Sequence, residues 1–149
     1  MAQAVGATLV ERPDAFAVER LLEQAAMLCP APGVPETHGV IAAAVRAGVP
    51  IRTEIDLAYE WEQNRAQGPR PILAITGTDG KTTTTMLVAH ILNTAGHCAL
   101  AVGNTEVPFA AALDESADVF VVECSSFRLN WLDSFRAEAA VWLNFAPDH

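Results

Sequence analysis

Basic residues are scarce in this chain. Nine Lys and Arg stand against eighteen Asp and Glu in 149 residues, a formal net charge of −9. A field of that sign repels polyanions and argues against nucleic acid or an anionic membrane surface as a partner. Cysteine is also sparse: Cys29, Cys98 and Cys124 form no C-x-x-C and have no paired histidine spacing. That speaks against a disulfide framework and against a structural zinc site. No apolar run approaches the roughly 18 residues of a membrane span. Met1 to Glu11 has no basic segment followed by an apolar core, so no secretory signal is read there and a cytoplasmic location is expected. What the chain does have is apolar material, 51% of its residues, enough for one modest core or parts of two domains.

The apolar residues fall into short β-like runs alternating with amphipathic stretches. Ala7–Glu11 reads as a strand, and Asp14 as the cap of a helix reaching Gln24. Ala26–Cys29 is a second short run, closed by a proline-rich turn at residues 30–35. Thr37 can cap a helix over Gly39–Ala47 that Gly48 stops; Val49–Thr53 then reads as a strand and Glu54–Arg65 as a helix. Gln67-Gly68-Pro69-Arg70-Pro71 breaks the pattern, and a domain boundary is expected there, dividing 1–68 from 69–149. Beyond it come strand Ile72–Thr76, a helix to about Ala95, strand Cys98–Val102, helix Val107–Leu113, and strands Asp118–Glu123 and Ala139–Asn144. Alternation of this kind predicts α/β architecture with right-handed crossovers and a parallel sheet. The last strand has no covering helix after it, and the chain is expected to be a fragment open at both ends.

Between the first strand of the second half and its helix lies Gly77-Thr78-Asp79-Gly80-Lys81-Thr82-Thr83. Two glycines let the backbone approach phosphate oxygens, and loop N–H groups with a helix N-terminus complement their charge. Lys81 can bridge the β- and γ-phosphates of ATP, and the Thr82 hydroxyl can ligate Mg²⁺. The full phosphate-loop pattern would place glycine at position 75, where this chain has Ile75. The bland alternative is a glycine-rich strand–helix turn with a solvated lysine.

Glu123 ends an apolar strand, where α/β sheets present ligand-binding groups, and is either a Mg²⁺ ligand or a solvent-facing strand end. His149 follows the last strand and could touch metal or phosphate, or be an ordinary surface residue. Asn104 is likewise a turn residue or a ligand contact. Cys124 has no sequence-adjacent base to activate it, and Ser125-Ser126 lacks the G-x-S-x-G elbow of serine hydrolases.

Four stretches together resemble the Mur ligases of peptidoglycan synthesis: Ile75 to Thr84, Gly103-Asn104 with Val107-Pro108, Glu123-Cys-Ser-Ser-Phe-Arg-Leu129, and Leu143-Asn-Phe-Ala-Pro-Asp-His149. The Ser-Ser-Phe after the glutamate is similar to members that join D-glutamate to UDP-N-acetylmuramoyl-L-alanine. The resemblance implies a partial Rossmann-like, UDP-substrate-binding domain over 1–68. It implies the first part of a P-loop-type ATP-binding domain over 69–149, and a C-terminal domain outside the chain. It implies an ATP- and Mg²⁺-dependent ligase forming an amide through an acyl phosphate, monomeric at full length, with the isolated fragment inactive. By the same resemblance Gly77 to Thr83 hold ATP, and Lys81, Glu123 and His149 are catalytic. Thr82, Glu123 and His149 would hold the metal, while Asn104, Ser125 and Arg128 face the substrate. The chain departs from the family pattern at three places: Arg128 for glutamine, Thr105-Glu106 for Ile-Gly, and Asp79 for asparagine. The competing readings are a ligase with another acceptor (folylpolyglutamate-synthase-like among them), a plain P-loop ATPase, and a non-catalytic α/β binding domain.

Overall fold

A computed structural model describes residues 6–147. It divides into two compact units, Met1–Leu28 with Pro35–Ile51, and Cys29–Val34 with Arg52–His149. In the first unit, helices α1 (Ala15–Glu23) and α2 (Gly39–Ala47) pack around Leu22, Ala43 and Ala44. Asp14 caps α1 as the sequence predicts, its side chain accepting from the Ala17 N–H at 2.8 Å. His38 caps α2 in place of the expected Thr37. The strands predicted in this half do not form: residues 7–11 are irregular, and the runs at 26–29 and 49–53 meet in a single parallel bridge, Leu28 to Ile51. Pro30 and Pro50 flank that bridge and remove the N–H donors that a longer ladder would need.

The second unit is a four-stranded, wholly parallel sheet of β1 (Ile72–Thr76), β2 (Ala99–Gly103), β3 (Val119–Glu123) and β4 (Ala139–Trp142), in the order β2-β3-β1-β4. The predicted α/β class and parallel pairing both hold. Side chains alternate between two apolar layers, as a sheet covered on both faces requires. Ile72, Ala74, Phe120 and Val122 face α3 (Glu54–Gln63), whose Ile55 and Ala58 complete that layer. Ile75, Val119 and Val121 face α4 (Lys81–Thr94), through Val88, Ala89 and Leu92. Helix α3, on the N-terminal side of the glycine–proline break, thus packs with the sheet.

The helix predicted over 107–113 shortens to a 3-10 turn at Ala110–Ala112. Carbonyls just after that turn are taken by Arg70, whose guanidinium donates to Leu113 O at 2.8 Å and Glu115 O at 2.9 Å. A short helix the sequence did not suggest, α5 (Ser126–Leu129), follows β3.

Candidate functional site at the carboxyl edge of the sheet

Because all four strands run parallel, their carboxyl ends lie along one edge. Register sets Glu123 beside Ile75 on one side and Gly103 on the other, and Trp142 beside Thr76. Every loop the sequence singled out therefore opens on the same edge, the place where open α/β sheets bind ligands.

The Gly77–Gly80 loop leaves β1, the strand between β3 and β4. Gly77 has φ +142°, and a Cβ there would lie 3.1 Å from Leu143 Cβ and 3.2 Å from the Asn144 backbone N and O. Gly80 occupies the N-cap of α4 in the left-handed region, at φ +79°, and offers no side chain to the helix start. The first-turn N–H groups of α4 thus carry no side-chain cap, the condition that suits an anion. Lys81 Nζ donates to Gly77 O and Thr78 O, both at 2.7 Å, which holds the ammonium over the loop. A cleft of about 340 Å³ opens there, lined by Gly77, Thr78, Lys81, Ser126, Trp142 and Asn144 among others. Thr82 and Thr83 are exposed on the first turn, and Asp79 is exposed at the loop tip.

Glu123 shares its sheet face with Val119 and Val121, the face that α4 covers. It is 2% exposed. One carboxylate oxygen accepts from Asn104 Nδ2 at 3.1 Å, while the other is buried without a partner. A buried carboxylate oxygen left unpaired is costly, so the group is set up for a cation or a donor from a ligand. Asn104 is held in turn by its own N–H, which donates to Glu123 O at 3.0 Å. Gly103 permits this approach: a Cβ there would meet Glu123 O at 2.5 Å.

Ser125 Oγ is also buried and unpartnered, although Ser125 stands at the N-cap of α5. Arg128 is buried too, but it lies away from the loop cleft. One of its guanidinium N–H groups donates to the Glu54 carboxylate of α3, and its Nε has no partner. It lines a separate small cavity with Pro30, Pro32, Phe127 and Trp131. Burial pushes the Cys124 thiol up to about 12, which leaves it unreactive at neutral pH. His149 lies outside the described residues. Among those described, no three His, Cys, Asp or Glu side chains cluster as a metal site.

One site residue escaped the sequence reading as an individual. Asn144 lies in the Leu143-to-His149 stretch, and its side-chain oxygen accepts from the N–H groups of Thr78 at 3.0 Å and Asp79 at 2.9 Å. Its position just after a strand, like that of Asn104, was the available signal.

The Mur ligase middle domain model matches residues 75–149. Among curated proteins, the UDP-N-acetylmuramoylalanine--D-glutamate ligase of Mycolicibacterium vanbaalenii is 43% identical over 119 residues, 79% of this chain and 25% of that protein. The protein of the same name from Streptomyces coelicolor is 41% identical over 133 residues, 88% of this chain and 28% of that one. This chain therefore spans about a quarter of the length of the curated relatives it matches. Among solved structures, the UDP-N-acetylmuramate:L-alanyl-gamma-D-glutamyl-meso-diaminopimelate ligase of Neisseria meningitides shares the fold with a TM-score of 0.54 at 21% identity. That match covers 99% of this chain and 49% of the other.

Proposed function

The chain belongs to the Mur ligase family through its middle domain, and from that premise we propose that it carries the nucleotide-binding part of a ligase adding D-glutamate to UDP-N-acetylmuramoyl-L-alanine. On this reading residues 1–68 are part of a UDP-substrate-binding domain, and 69–149 are the first part of the ATP-binding domain. The observation that carries it is Glu123, a buried carboxylate with one unpaired oxygen, beside a phosphate-type loop at the same sheet edge. No membrane-length apolar helix occurs among the described residues, and a cytoplasmic, monomeric enzyme is part of the proposal.

The residues present fit ATP with Mg²⁺. The uncapped start of α4 and Lys81 suit the phosphates, and Mg²⁺ takes hard oxygens while needing few protein ligands. Thr82 and Glu123 would hold the ion, with His149 as a further candidate. When bound, it would neutralise charge on the phosphate oxygens. Lys81 supplies the chain's own share of that neutralisation, needed because the attacking carboxylate and the phosphoryl group repel each other. The L-alanyl carboxylate oxygen attacks the γ-phosphorus; its bond to phosphorus forms as the bond to ADP breaks. The amine of D-glutamate then adds to the acyl carbon, gives up a proton, and phosphate leaves as the amide forms. Asn104 and Ser125 are the polar groups placed for the muramoyl substrate. Arg128 would join them only by releasing Glu54.

The test is ADP release by the full-length protein with Mg²⁺ATP and UDP-N-acetylmuramoyl-L-alanine, adding D-glutamate, L-glutamate or neither. The proposal expects release that needs both the muramoyl nucleotide and D-glutamate and falls at least 100-fold in Lys81→Ala, in line with the loss of one preorganised charge contact of about 10²–10³. Release without either substrate would establish a plain ATPase instead.

A further inference from the structure

We propose that Asn144 is a positioning residue for the phosphate loop, a clamp that shapes Thr78–Asp79 from outside while leaving the start of α4 to the nucleotide. The inference rests on the nucleotide-binding reading above. Its starting point is a deficit. The position where the usual pattern has its first glycine is Ile75, a residue of β1 that is 2% exposed and packs in the layer facing α4. The loop is thus shorter than the usual pattern, and its tip is bonded by another segment of the chain.

That segment is the stretch after β4. The Asn144 side-chain oxygen takes the N–H groups of Thr78 and Asp79, and its Nδ2 donates to Asp79 O at 3.0 Å. These three bonds fix the amide's orientation, since exchanging its oxygen and nitrogen would set donors against donors. The backbone joins in: Thr78 N–H also reaches Asn144 O at 3.3 Å, and Leu143 N–H donates to Thr76 O at 2.9 Å. Two residues further along, Thr78 Oγ1 donates to Ala146 O at 3.1 Å and accepts from Ala146 N–H at 3.0 Å. Gly77 makes the contact possible, because any Cβ there would press on Leu143 and Asn144. Asn144 thus occupies the loop-tip donors, and the uncapped N–H groups at the start of α4 remain for phosphate.

The work divides between elements far apart in sequence, so the clamp has a signature that general destabilisation lacks. In the full-length protein, Asn144→Ala should weaken MgADP binding by tenfold or more in calorimetric titration while leaving the affinity for UDP-N-acetylmuramoyl-L-alanine within twofold. Amide exchange at Thr78 and Asp79 should quicken, with β1 and the body of α4 unchanged. Asn144→Asp keeps the acceptor and should restore the protection of those two amides, though its negative charge keeps nucleotide affinity low. Unchanged MgADP affinity in Asn144→Ala, with Lys81→Ala losing it, would overturn the clamp and leave the nucleotide site standing. Equal loss of both ligands would reduce Asn144 to a folding residue. If neither wild type nor Lys81→Ala binds MgADP, the underlying reading fails and the clamp with it.

Discussion

Glu123 and Gly103 form one device. The strand end can carry a buried carboxylate against Asn104 only because the neighbouring strand has no side chain at the point of contact. Gly103→Ala would place a Cβ 2.5 Å from Glu123 O at a backbone φ of +102°, so β2 or β3 must shift. The expected cost is about 2–4 kcal/mol in urea unfolding, with Asn104 displaced from its bond to the carboxylate. Glu123→Gln tests the other half. The amide keeps the shape and removes the charge, so the fold should be stable within about 1 kcal/mol. Mg²⁺-dependent turnover of the full-length enzyme should fall about 100-fold. Turnover unchanged across a Mg²⁺ titration would remove Glu123 from the site.

At the scale of elements, α3 is fastened to the sheet unit by charge as much as by apolar contact. Glu62 receives Arg70 through Nε at 2.9 Å, Nη2 at 2.6 Å and the backbone N–H at 2.7 Å, and the guanidinium lies 4.4 Å over the Phe120 ring. Asp56 accepts from the Ser134 and Phe135 N–H groups at 2.9 and 2.8 Å and from Arg52 Nε at 2.7 Å. Burial pushes both carboxyls up, but these donors together outweigh it and hold each below its ordinary value of 3.8 for Asp56 and 4.5 for Glu62. Folded values below unfolded ones mean that the stabilisation is fully present above about pH 5 and is lost as pH falls through the folded values. The urea midpoint should therefore drop steadily from pH 5 to pH 2. Glu62→Gln should start lower at pH 7 and fall less steeply, and an equal slope would show that the pair does not titrate with unfolding. Arg70→Met, which strands a buried carboxylate, should cost about 3–5 kcal/mol at pH 7. None of this was legible beforehand. The sheet strands could be read because their apolar character is local. Glu62–Arg70 joins a helix residue to one inside the glycine–proline break, and Asn144 reaches Thr78 across 66 positions of sequence. The strand expected at 7–11 failed for the complementary reason, that a β-like run becomes a strand only where a partner is supplied, and the one expected at 49–53 stops at a single bridge between prolines. The loop, Glu123 and Asn104 converged as the sequence suggested, because parallel pairing brings every carboxyl end to one edge. Arg128 did not join them, because Glu54 offers it a carboxylate on α3.

Across the whole molecule the two compact units rest on cores of very different quality. The sheet unit buries two layers, with Phe109 and Phe120 in edge-to-face contact at 5.0 Å and Val121 and Val122 fully enclosed on opposite faces. The unit of α1 and α2 buries Leu22 and Ile41 with two alanines, while Phe16, Leu21 and Val45 stay at least half exposed. Half of those buried residues are alanine, which removes little apolar area from water, so this second core offsets less of the entropy of ordering two short helices than the two layers of the sheet unit offset in theirs. Its amides should therefore exchange through low-energy local openings, while those of β1 and β3 wait for the sheet to unfold. Native-state hydrogen exchange on this chain should give opening free energies in α1 and α2 at least about 2 kcal/mol below those in β3. Rising urea should open the helical unit first, while the bonds from Asn144 to the loop stay protected. Uniform protection across both units would instead mean a single cooperative fold, in which loss of the α1–α2 core should also loosen the phosphate loop.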